Sequence, residues 1–176
     1  MVALLSGCSG DTNGTATEDG STTTSTTQTP TSTSGSTLPY EKEWEDITVE
    51  KGSGWIHEIP AFEEQAELSY TVTNTASVNF DVYVFEKGFN SGLDKYKEYI
   101  SGGDNADGAT GIDGATDEHA DEQAESSGVP LTSGEYAIVV DHSNFKGGHN
   151  RARPDEESPD TLTVDISLKL KSVLSL

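Results

Sequence analysis

Thr161-Leu162-Thr163-Val164-Asp165-Ile166-Ser167-Leu168-Lys169-Leu170 alternates polar and apolar residues without a break. Successive side chains of a strand point to opposite faces. Leu162, Val164, Ile166, Leu168 and Leu170 therefore share one face, and Thr161, Thr163, Asp165, Ser167 and Lys169 the other. A strand with one apolar and one polar face belongs to an antiparallel sheet packed on one side.

Working outward, Val78, Phe80, Val82 and Val84 make a second stripe, and Leu68, Tyr70 and Val72 a third. Tyr136, Ile138 and Val140 make a fourth, just after the turn signal Ser133-Gly134. Ile47 and Val49 begin a fifth strand, and Trp55 to Ile59 form a sixth behind Gly52-Ser53-Gly54. Six short strands with polar outer faces predict a mainly β domain over residues 39–176, an antiparallel two-sheet β-sandwich of jelly-roll type. Strands do not alternate with long helices, which argues against a parallel α/β sheet. One short helix is expected where Leu93, Tyr96 and Ile100 recur at spacings of 3 and 4. Ser91 and Asp94 form a capping-box pattern at its start, and Gly102-Gly103 stops it. Its three apolar side chains would turn inward and close one end of the sandwich.

Charge sets the next constraint. The chain carries 31 Asp and Glu against 10 Lys and Arg, a formal charge of -21. Such a chain repels nucleic acid and anionic lipid headgroups, so neither is an expected electrostatic partner. Lysine is scarce and the carboxylates are spread over the whole folded part rather than gathered at one place. Near molar salt the Debye length shrinks to about 3 Å, and a carboxylate-rich surface is tolerated. In this the sequence resembles exported proteins of haloarchaea.

Cys8 is the single cysteine, which excludes an intrachain disulfide and a cysteine-based metal cluster. It stands in Leu5-Ser6-Gly7-Cys8 after Val2-Ala3-Leu4. This resembles the lipobox of exported lipoproteins, where small residues precede a cysteine that is lipidated and becomes N-terminal on cleavage. The resemblance implies a membrane anchor through a lipid at Cys8 and a place on the outer face of the cell membrane, with residues 1–10 the residue of a signal region. A secretory signal needs a basic start and an apolar stretch of about 7–15 residues. Met1 to Leu5 supplies neither, so the true start of the signal is expected upstream.

Residues 11–38 hold 17 Ser or Thr among 28, with no Lys, Arg or aromatic residue. Such a segment has nothing to bury and is expected to be a disordered, O-glycosylated stalk. Asn13-Gly14-Thr15 is also an N-glycosylation sequon. As a flexible chain the stalk would span roughly 30 Å, and up to about 90 Å if crowding sugars extend it.

The order of the later pieces has a precedent. Gly54-Trp55-Ile56-His57-Glu58-Ile59 is followed by Asn79-Phe80-Asp81-Val82-Tyr83-Val84-Phe85 and then Gly134-Glu135-Tyr136-Ala137-Ile138-Val139-Val140-Asp141. Over residues 45–171 this loosely resembles small jelly-roll modules such as the GOLD domain and the bacterial pre-peptidase C-terminal domain. The resemblance implies a non-catalytic accessory or interaction module, with an unknown surface protein or glycan as partner, and it carries over no functional residue.

Candidate chemistry is sparse. Residues 102–128 read as a solvated acidic insertion, holding Asp104, Asp107, Asp113, Asp117, Glu118, Asp121, Glu122 and Glu125 with no base. Gly102-Gly103-Asp104-Asn105-Ala106-Asp107 partly matches a Ca²⁺-binding Gly-Asp repeat, so Asp104, Asp107 and Asp113 are the candidate Ca²⁺ ligands; otherwise no cofactor is expected. The match is too short for a solenoid and lacks the ligand spacing of an EF-hand. His142 and His149 flank a Gly-Gly loop beside Asp141 but lack a known Zn²⁺ spacing, and His119 lies in a polar turn. Asp141, His142 and Ser143 are no triad, because neighbours on one strand face opposite ways. No nucleophile elbow or phosphate-binding loop is present, so an enzyme is not expected. Tyr83 and Phe85 share the face opposite the valine stripe, in a domain whose other prominent aromatics are Trp44 and Trp55. The pair packs as a second layer beneath the helix or, if left exposed, makes an aromatic platform for sugar rings.

Overall fold

The computed structural model describes residues 38–75, 78–88, 91–103, 109–145 and 158–173. Their strands are β1 (Tyr40–Glu50), β2 (Ser53–Phe62), β3 (Ala66–Asn74), β4 (Phe80–Glu86), β5 (Asp117–Ala120), β6 (Gln123–Leu131), β7 (Gly134–His142) and β8 (Thr161–Ser172), with a helix α1 (Gly92–Ile100) between β4 and β5. The strands form two four-stranded sheets in the orders β1-β8-β3-β6 (sheet A) and β2-β7-β4-β5 (sheet B), with every pairing antiparallel. The mainly β sandwich is therefore a jelly roll of eight strands.

The stripes read from the sequence fall in register. Leu68 pairs with Leu170, Tyr70 with Leu168 and Val72 with Ile166 across β3 and β8. All six lie in the core between the sheets, with Phe80, Val82 and Val84 of β4 and Ile138 and Val140 of β7. A one-residue slip of β8 would turn its whole apolar stripe to water, so burial of one face sets the register.

Eight strands are present where six were expected: β5 and β6 are the additional ones, and bulges hid the start of β1 and the stripe of β6. On β1 the register shifts between Trp44 and Ile47, where Asp46 has φ 55° and its N–H is held by Asp165 Oδ1 at 2.9 Å. Trp44 and Ile47 stand an odd number of residues apart, yet the bulge lets both pack against the core. The inward stripe thus begins at Tyr40, before the expected start at Ile47. On β6 the register shifts opposite Leu68 and Tyr70, and Gly128 takes φ 68°. The inward residues Ala124 and Ser126 are small, and the alternation breaks before Val129 and Leu131. The stretch at 102–128 is consequently no acidic insertion throughout: it supplies β5 and most of β6, an edge strand of each sheet.

The helix begins as its sequence predicts. Ser91 is the N-cap, its Oγ accepting from the Asp94 N–H at 3.3 Å. Leu93 and Tyr96 are buried and Ile100 is partly buried. The helix does not close an end of the sandwich. It lies on the outer face of sheet B, where Leu93 and Tyr96 pack with Tyr83, Phe85, Ala137, Val139 and Phe145 in a second core. The domain has three layers along this side: sheet A, sheet B and α1. Among the described residues no helix is long and apolar enough to cross a membrane.

Candidate functional site

Two places bring chemistry-bearing side chains together. The first is an aromatic seam where the edge strand of sheet A meets the edge strand of sheet B. Tyr40 and Trp44 come from β1, Trp55 and His57 from β2, and all four are half-buried. The Trp44 and Trp55 rings meet edge to face at 5.1 Å, and Trp44 lies 4.5 Å from the His57 ring. His57 is stacked with Trp55 at 5.8 Å and with Tyr40 at 6.3 Å. The Tyr40 hydroxyl and His57 Nε2 are 2.8 Å apart. Burial lowers the His57 pKa, helped by Lys42 and opposed by Glu58, which favours the neutral ring. The seam fills the gap between the sheets and still leaves aromatic surface to solvent. It suits the binding of a partner that has flat apolar faces.

Around the seam the surface is polar. Outside sheet A, Ser69, Thr71, Glu125, Ser127, Ser167 and Lys169 line a concavity of about 400 Å³. A second of about 330 Å³ adjoins it, between Glu41, Lys42 and Glu43 and the same Ser167 and Lys169. On sheet B, Glu58 beside the seam receives Lys87 and Lys97, each at 2.9 Å, which hold its carboxyl down to about 2.

The second place is buried. Gly54, Asp141 and Asp81 form one row across β2, β7 and β4, because Gly54 pairs with Asp141 and Asp141 with Asp81. Both carboxyls are buried, Asp81 at 0% exposure and Asp141 at 1%. The Tyr96 hydroxyl donates to Asp141 Oδ1 at 2.7 Å, and so does the Ser143 hydroxyl, also at 2.7 Å. The Tyr83 hydroxyl donates to Asp81 Oδ2 at 3.2 Å. A Cβ at residue 54 would collide with the Tyr96 hydroxyl, so glycine there is the notch that lets Tyr96 reach across β2 to Asp141. Burial, opposed by the donors Tyr96 and Ser143, pushes the Asp141 carboxyl up to about 7. Burial also raises the Tyr83 and Tyr96 hydroxyls, which are donors at every ordinary pH.

The residues singled out from the sequence scatter. Tyr83 and Phe85 are stacked at 5.6 Å and fully buried beneath α1, so they offer no platform to a sugar. Among the described residues the half-exposed aromatics are those of the seam and Tyr99 of α1. Asp113 is exposed in the turn before β5, whereas Asp104 and Asp107 lie outside the described residues. Among the described residues no three His, Cys, Asp or Glu are grouped to hold a metal ion. Cys8, Asn13 and His149 lie outside the described residues, as does the side chain of His119. His142 is buried, with Nε2 at 3.2 Å from the Pro159 carbonyl, and Asp141 bonds Ser143 rather than its histidine neighbour.

Sequence reasoning missed the Asp81–Asp141 row. The signal was present: each aspartate interrupts an apolar run, Phe80-Asp81-Val82 and Val139-Val140-Asp141. Nothing local says that the two runs pair at those residues. No protein-family model and no curated protein matches the chain.

Proposed function

We propose that this chain is a non-catalytic accessory or interaction module of a halophile, lipid-anchored at Cys8 on the outer face of the cell membrane and raised from it by the stalk. The observation that carries the salt-loving part is the direction of the charge. Every described carboxylate except Asp81 and Asp141 sits at an exposed or half-exposed position, on both sheets and the helix. Residues 39–176 carry 28 acids against 10 bases. With a Debye length of about 10 Å at 0.1 M salt, neighbouring carboxylates repel one another, against a net stability of typically about 5–15 kcal/mol. At molar salt the range falls to about 3 Å and most of that repulsion is gone.

The anchor rests on Leu5-Ser6-Gly7-Cys8 and on the Ser/Thr-rich segment behind it. The likeness to GOLD and pre-peptidase modules favours an interaction role, and the seam of Tyr40, Trp44, Trp55 and His57 is the surface such a module presents to a surface protein or glycan.

Two measurements test the two halves of this reading. In a thermal melt across a KCl series, the near-UV signal of Trp44 and Trp55 is native-like in 2–3 M KCl and fades below roughly 0.5 M. A melting temperature that stays flat from 0.1 to 3 M removes the halophilic half. Protein expressed in cells partitions with membranes, and Cys8→Ser releases it or blocks its processing. Wild-type protein recovered from the medium with a free thiol removes the anchor.

A further inference from the structure

Helix α1 is joined to sheet B by apolar packing and by one buried polar contact of unusual character, the hydrogen bond from Tyr96 to Asp141. Oδ1 of Asp141 accepts from two hydroxyls, whereas Oδ2 is buried and has no hydrogen-bond partner. An ionised carboxylate with one bare oxygen in such surroundings is strongly disfavoured, and the usual resolution is neutralisation. Either a proton or a metal cation can supply it.

The surroundings decide between them. Asp81 and Asp141 lie on the face of sheet B that carries Tyr83, Phe85 and Val139, beneath the cluster these form with Leu93, Tyr96 and Phe145. The only side-chain oxygens of that cluster are two phenols, both already donating to the carboxyls. Calcium takes about 6–8 oxygen ligands and magnesium about six, commonly with several waters. Asp141 Oδ2 and the Asp81 carboxyl fall well short of that number, whereas a proton needs no shell. Among the described residues, the charged and titratable groups facing Asp141 are Asp81 and Tyr83 from β4 and Tyr96 from α1, while β2 brings the uncharged Gly54 and the following segment brings Ser143. Glu118 of β5 acts on the same pocket through Tyr83. Asp81 is acidic and opposes ionisation of Asp141 further.

We propose that Asp141 is a proton-held latch: a neutral carboxyl can stay buried beneath α1, whereas ionisation as the pH rises favours its exposure to water and so loosens the helix from the sheet. The sign follows from linkage. A carboxyl whose pKa is raised in the folded state contributes stability that is complete below its unfolded value of about 3.9 and is lost as pH rises. With the folded value near 7, the loss runs from about pH 4 to about pH 7 and then stops. Histidines also titrate between about pH 5 and 8, so the latch is isolated by comparison with a variant that cannot ionise at residue 141.

The experiment uses the full chain in constant 3 M KCl and compares wild type with Asp141→Asn, in which an amide stands for the neutral acid. Between pH 5 and 7 the folded-to-unfolded ratio of wild type, relative to the variant, should fall about tenfold per pH unit, and it should be level above pH 7.5. At pH 8, amides of α1 should exchange faster in wild type than in Asp141→Asn at the same pH. The carboxyl carbon of Asp141 should titrate near pH 7, independently of how well any variant folds. Tyr96→Phe removes a donor that favours the ionised form, so it should move that midpoint upward; a merely structural role for the tyrosine would leave the midpoint in place. An Asp141 midpoint below pH 5, or wild-type and variant profiles that run parallel from pH 5 to 8, overturns the proposal. So does a rise in melting temperature on adding 5 mM CaCl₂ at pH 8 that Asp141→Asn abolishes, because the neutralising species would then be a cation.

Discussion

The outer face of sheet A and the outer face of sheet B meet opposite fates, although both are built from antiparallel strands of similar length. On β8, in the middle of sheet A, buried and exposed residues alternate along almost the whole strand. On β4, in the middle of sheet B, six consecutive residues from Phe80 to Phe85 are buried. Seven in a row are buried on β7, from Tyr136 to His142. The difference lies in what covers the sheet. Sheet A turns Ser, Thr, Glu and Lys to solvent, and sheet B turns Tyr83, Phe85, Ala137 and Val139 under α1. A sheet with one wet face keeps its period of two visible in sequence, and a sheet covered on both sides loses it.

If the outer face of sheet B is a true second core, truncation there should match truncation between the sheets. Phe85→Ala removes a ring that packs against Tyr83, Tyr96 and Phe145. It should lower stability by about 3–5 kcal/mol in denaturant unfolding at high salt. A loss below about 1 kcal/mol would mean that α1 rides loosely on the sheet and that the two faces do not differ. A smaller effect sharpens the comparison at a single point. Gly54→Ala drives a methyl into the Tyr96 hydroxyl and should cost about 1–3 kcal/mol, part of it recovered in the double variant with Tyr96→Phe. Strictly additive losses would show that the notch at Gly54 does not serve Tyr96. The smallest effect belongs to sheet A. Ser167→Ala, on the exposed face of β8, should change stability by no more than about 0.5 kcal/mol.

This contrast also accounts for what was legible in advance. Leu162 through Leu170 announced both a strand and its buried face, because water on one side leaves a polar residue at every second position. Tyr83 and Phe85 announced a strand and allowed two readings, a layer beneath the helix or an exposed platform, of which burial beneath the helix is the one found. Residues eight and more positions away, Leu93 and Tyr96, decide between them, and a helix of nine residues could as well have capped an end. The start of β1 and all of β6 were hidden for a different reason. A bulge shifts the alternation by one, so Tyr40, Trp44, Ile47 and Val49 no longer read as one stripe although all four pack on the core. The aromatic seam was hidden with them. Trp44 and Trp55 stood out as residues, but not their meeting, which needs the two outermost strands to be neighbours at the open side of the sandwich.

By itself the sequence determined the mainly β character, most of the inward stripes, the start of the helix at Ser91 and the strongly acidic charge. Each of these follows from periodicity, capping or composition, which act between residues a few positions apart. Only the tertiary structure decided that Asp81 faces Asp141, that Tyr96 crosses Gly54 to reach it, and that α1 covers sheet B. Those outcomes depend on register between strands some sixty residues apart, and register is set by burial of whole faces at once rather than by any local run.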